Sequence, residues 1–107
     1  MIIIPKHKKG DYWDGMSITV RESNGTPVNL TGYTIRLDFV NNRFIGNVMN
    51  FTTVNNTITI PTPSSGKMFF NAREMNVSAF KYLGDLKLIN PSGHVKTIAN
   101  VSWEIWT

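Results

Sequence analysis

The sequence predicts an all-β fold, an antiparallel β-sandwich with at most one short helix. Three observations carry that expectation. Apolar and polar residues alternate along several short segments, which is the period of strands with one face buried. Turn-forming residues recur every ~8–12 positions, so about seven or eight short strands fit the chain. Helical spacing shows in one segment, and only weakly.

"MIII" opens the chain as a strand of β-branched residues suited to a pleated surface, stopped by Pro5. "GDYWDG", Gly10 to Gly15, is a turn or loop. "MSITVRE" alternates, with Met16, Ile18 and Val20 on one face. Asn24-Gly25 suits the positive φ angles of a tight hairpin, and Pro27 then fixes φ as the chain leaves it. From Tyr33 to Val40 the next strand puts Tyr33, Ile35, Leu37 and Phe39 on one face and Thr34, Arg36 and Asp38 on the other. "NNRFIGN" is a loop in which Phe44 and Ile45 need cover.

"VMNFTTV" and "TITI" are strands joined by a hairpin at Asn55-Asn56. "PTPSSG" is a loop by its two prolines, and "KMFFN" a short strand. "AREMNVSAF", residues 72–80, is the helical candidate: Ala72, Met75 and Ala79 have nearly helical spacing and Asn71 can cap the start. "YLGDLKLIN" sets Leu86 and Leu88 against Asp85 and Lys87, and "PSGH" is a turn. "VKTIANVSWEIWT" then holds one phase, with Val95, Thr97, Ala99, Val101, Trp103 and Ile105 facing one way. The expected core is Ile18, Ile35, Leu37, Phe39, Leu86, Leu88, Val101 and Trp103.

The 107 residues make one domain, residues 1–107. That length supports a core without staples, since marginal domains lie near ~60 residues and below. There are no cysteines, which excludes disulfides, thiolate metal sites and cysteine nucleophiles and fits a reducing cytoplasm. The start has no basic-then-apolar signal order. No run reaches the ~18 apolar residues of a membrane helix, so no membrane partner is implied.

A net charge of +4 and a pI of 9.6 invite a nucleic-acid reading. Yet the basic residues are scattered, and the cluster Lys6, His7, Lys8 and Lys9 reads as a solvated turn. Nucleic-acid binders align Lys and Arg along one face and interleave aromatics for stacking. Binding of nucleic acid or a host factor is therefore the alternative, not the first reading.

Nothing converges for catalysis. The two histidines, His7 and His94, fall in turns and without metal-ligand spacing. Asp11 and Asp14 flank "YW" and could form a glycan-active carboxylate pair, but they read better as a capped turn with an aromatic anchor. "SSG" lacks the flanks of a nucleophile elbow. "DYWDG" has the wrong spacing for a calcium loop. Asn-x-Ser/Thr sequons at Asn29, Asn50, Asn55, Asn76 and Asn100 matter only in a eukaryotic secretory pathway. The expectation is a protein that is not an enzyme and has no cofactor or metal. What remains is surface: Trp106 lies opposite the core phase, and exposed aromatics are favoured binding anchors. The candidate interface residues are Ile2, Ile3, Ile4, Trp13 and Trp106.

The order of these blocks resembles small tail and baseplate domains of bacteriophages, akin to the N-terminal domain of upper baseplate and tail-fibre proteins. The resemblance rests on Gly10-Asp11, Gly25-Thr26-Pro27, Leu30-Thr31-Gly32, Gly84-Asp85-Leu86 and Thr97-Ile98. Asn29 departs from it where an acidic residue is usual, and Asn100 where a glycine is common. The resemblance implies an immunoglobulin-like sandwich that joins virion parts, with Leu30 plugging the sandwich end and Gly32 permitting a sharp entry to the next strand. It further implies a virion protein made in the host cytoplasm, with other phage structural proteins of capsid, tail or baseplate as partners and room for homo-oligomers. Relatives continue into receptor-binding parts, whereas this sequence stops after the last strand. A decorating protein on a capsid, or a neck, tail or baseplate adaptor, is the expectation that follows.

Overall fold

The structure is a computed structural model that describes residues 2–40, 47–77 and 79–107, with Val40, Asn47 and Val48 described by backbone alone. The expected loop holding Phe44 and Ile45 lies outside the described residues. The strands are β1 (Ile2–Lys8), β2 (Tyr12–Trp13), β3 (Met16–Thr19), β4 (Thr34–Val40), β5 (Asn47–Thr52), β6 (Ile58–Thr59), β7 (Lys67–Phe70), β8 (Arg73–Glu74), β9 (Phe80–Ile89) and β10 (Val95–Trp106). A five-stranded sheet has the order β1-β10-β9-β4-β5, a three-stranded sheet the order β3-β7-β6, and β2 pairs with β8. The chain is all-β and sandwich-like, as its alternation predicts.

Several details differ from the sequence expectation. The first strand joins the sheet parallel to β10, whereas the other pairings are antiparallel. β1 also runs past Pro5 as far as Lys8. Pro5 has no N–H to give, and the ladder shifts register between Ile4 and His7 to accommodate it.

The second difference is the helix expected over residues 72–80. Arg73 and Glu74 instead form β8, opposite Trp13 and Tyr12. The Met75 N–H donates to the Asp11 carbonyl and the Gly10 N–H to the Met75 carbonyl. Met75 is fully buried in this extended form, so the apolar spacing is satisfied without a helix. A segment this short also gains little helix stability alone. A one-turn 3-10 helix at Pro63–Ser65 is the helical element among the described residues, closed by Gly66 at φ 68°.

The core lies between the sheets. Seven of the eight expected core residues are buried: Ile35, Leu37, Phe39, Leu86, Leu88, Val101 and Trp103; Ile18 is half-buried on β3. An aromatic cluster fills the centre. Trp13 and Trp103 lie with ring centroids 4.7 Å apart, and Phe39 and Phe51 pack edge-on nearby. Leu30 is 1% exposed and closes one end of the sandwich, donating to the Pro63 carbonyl and accepting from Tyr33. Asn29, the departure noted above, caps this corner by accepting from the Thr31 N–H at 3.0 Å.

Two hairpins share one design. In the first, Gly25 donates to Glu22 and Glu22 to Thr26; in the second, Gly93 donates to Asn90 and Asn90 to His94. Gly25 and Gly93 each adopt φ 87°, while Asn24 stays at negative φ. Each is thus a longer turn ending in a left-handed glycine, not the two-residue turn expected at Asn24-Gly25.

The single phase expected for the last strand does not hold either. The register of β10 on β9 shifts between Thr97 and Ala99, so Ile98 is an extra residue. A bulge reverses the alternation. Val101, Trp103 and Ile105 stay buried, but Val95 and Thr97 emerge and Ile98 packs against the core.

Candidate functional site

The fold brings together the two apolar segments singled out at the chain's ends. Ile2 pairs with Val101, Ile3 with Ser102, Ile4 with Trp103 and Lys8 with Trp106. The Lys9 N–H donates to the Trp106 carbonyl at 2.7 Å and extends the pairing by one residue. β10 is therefore an interior strand, covered by β1 on one side and β9 on the other. Among the described residues the sheet edge on this side is β1, so the last strand, which carries Trp106, offers no free edge of its own.

The candidate interface residues separate by alternation. Ile3 is 74% exposed and Trp106 43%, both on the outer face. Ile2 is half-buried and packs against the core. Ile4 and Trp13 are buried, at 4% and 8% exposure, and belong to the core, not to a surface. Trp13 is held there because β2 pairs with β8 and turns the indole onto Trp103, leaving Tyr12 outside. Lys8 places its ammonium 5.5 Å from the centre of the Trp106 ring, a cation–π contact that fixes the aromatic at the surface.

Sequence reasoning missed one member of this corner. Leu83 is 45% exposed and opposes Ser102, which in turn opposes Ile3. The three residues form one cross-strand row on the outer face. The signal was present in "YLGDLKLI", where Leu83 shares the phase of Asp85 and Lys87 rather than of Leu86.

The next two rows of the outer face are polar, and Ile89 and Val95 follow them. Asp85 opposes Asp38 and Lys87 opposes Arg36, and Arg36 reaches Asp38 at 3.5 Å along its own strand. The face has a shallow depression of about 670 Å³ bordered by these residues. Gly84 lies on the core side beneath it, where a Cβ would stand 2.7 Å from the Asp38 carbonyl and 3.0 Å from the Phe39 ring. Its missing side chain lets β4 and β9 keep their spacing while Phe39 fills the core. A second cleft, about 910 Å³, opens at the other end between β3 and β10 and is lined by Ile18, Val20, Val28 and Tyr33.

The other candidates take structural positions. His7 sits in β1, and its Nε2 donates to the Asp11 carbonyl at 2.8 Å. His94 is exposed after the second hairpin, and Asp11 and Asp14 are exposed on either side of β2. Among the described residues, no group of three or more His, Asp or Glu is placed to hold a metal ion, and no helix is long and apolar enough to cross a membrane. No protein family, curated protein or solved structure matches the chain.

Proposed function

We propose that the chain is a non-enzymatic structural module of a bacteriophage particle that docks onto another virion protein. The docking surface is the β1 edge with the apolar corner of Ile3, Leu83 and Trp106. One observation supports it most: large apolar side chains stand exposed beside a strand that, among the described residues, has a neighbour on one side only. Such an edge offers unpaired backbone groups to a partner's strand, and adjacent aromatic and aliphatic side chains give that pairing specificity. The phage assignment rests on the resemblance of the sequence blocks. Gly84 and Leu30, two positions within those blocks, also have packing roles in the fold.

Many identical copies on a lattice let each contact be weak. Quantitative mass spectrometry of purified particles tests the assignment. A copy number on the order of hundreds marks capsid decoration, and a small multiple of a ring symmetry marks neck or baseplate. Absence from the particles refutes it.

A further inference from the structure

The outer face of the five-stranded sheet sets like charges directly across adjacent strands, with the contact of Arg36 and Asp38 along β4 as a partial offset. Asp38 and Asp85 are direct cross-strand partners, and so are Arg36 and Lys87. Like charges directly opposite one another destabilise a sheet. The sequence therefore maintains an acidic row beside a basic row. Along β9 the outward residues are Leu83, Asp85, Lys87 and Ile89, a series that runs apolar, acidic, basic, apolar. β10 continues the rows with Ser102, Asn100, Thr97 and Val95.

That series is complementary to its own reverse. We infer that this face pairs with a second copy of the chain, about a twofold axis that lies in the interface and crosses the strands at Leu86 and Leu37. Rotation about such an axis sets the acidic row of one copy over the basic row of the other. Asp85 meets Lys87 of the partner subunit, and Asp38 meets the partner subunit's Arg36. Leu83 meets Ile89 of the partner subunit, and Asn100 meets the partner's Thr97. The acidic and basic rows, and Leu83 with Ile89, find suitable opposites, as an isologous interface requires. Two sheets of the same twist stack in this aligned manner within ordinary sandwiches. The long side chains of Arg36 and Lys87 from the facing copy fill the depression on the face.

Four rows at two-residue steps across four strands, β10, β9, β4 and β5, span on the order of 20 Å by 15 Å. A facing pair then buries on the order of 600 Å², below the range of stable specific interfaces, so the dimer is weak and transient. Trp106 and the β1 edge remain outside it. Leu83 is shared with the docking corner proposed above, but the charge pairing does not rest on that function.

The test uses two charge reversals, Asp85→Lys and Lys87→Glu. Each puts an opposite charge across from its register partner in β4, so neither threatens the fold. Sedimentation equilibrium of the wild type at low salt, to about 1 mM, should show a monomer–dimer equilibrium that added salt weakens. Each reversed variant alone should associate at least about tenfold more weakly, because like charges then face each other across the axis. Mixing the two variants should restore the dimer as a heterodimer. A wild type that stays monomeric throughout overturns the inference. So do reversals that leave self-association unchanged, or a mixture that fails to recover it.

Discussion

The indole N–H of Trp103 donates to the carbonyl of Pro5 at 3.1 Å, across a separation of 98 residues. This bond ties the first strand to the last from inside the core. The β1 edge is thus a fixed surface, anchored by a buried tryptophan, and suits a module whose contacts must hold their geometry.

Trp103 should accordingly be the most costly single position. Trp103→Ala is expected to lose ~3–5 kcal/mol through the cavity it leaves. Trp103→Phe keeps much of the packing but loses the bond to Pro5, and should lose ~1–3 kcal/mol. Urea unfolding followed by fluorescence or circular dichroism gives both values.

Ile3 and Ile4 are adjacent in sequence and opposite in role, one 74% and the other 4% exposed. Ile4→Ala is expected to lose ~2–5 kcal/mol, whereas Ile3→Ala should stay within about 0.5 kcal/mol of wild type. Removing residues 1–4 takes Ile4 with it and should destabilise the fold, so truncation is a poor probe of docking. Equal effects at Ile3 and Ile4 in urea unfolding would mean that β1 is not seated as described.

Gly84→Ala should lose ~1–3 kcal/mol by overpacking. The nearest obstacle to a methyl group is the backbone carbonyl of Asp38, at 2.7 Å. Shrinking the neighbouring ring with Phe39→Leu should therefore not rescue the variant. Full rescue in the double variant, read as a departure from additivity of the unfolding free energies, would place the strain on the ring instead.

Much of this fold was legible because alternation reports burial directly. Ile35, Leu37 and Phe39 on β4, and Leu86 and Leu88 on β9, are buried as their period requires. The departures arise where a long-range partner decides. Ile98 is a bulge, and nothing in "VKTIANVSW" marks the residue at which the phase reverses. Met75 is buried as its spacing suggests, but the pairing of β8 with β2, not a helix, buries it. Of Tyr12 and Trp13, adjacent aromatics in a turn-like stretch, the side that faces inward is set by Arg73, sixty residues on from Trp13. At the candidate site, Ile3 and Trp106 were identifiable from the ends of the chain. The outward phase of Leu83 was legible too, but not its place beside Ile3, which comes only through Ser102 and the sheet order.

The central claim is that Ile3 and Trp106 form a docking surface on a particle. Co-sedimentation of purified protein with particles assembled without it tests this most directly, comparing wild type with Ile3→Glu and Trp106→Ala. The wild type should pellet with the particles, while both variants stay in the supernatant with unchanged urea midpoints. A wild type left in the supernatant, or variants that pellet as fully as wild type, would contradict the claim.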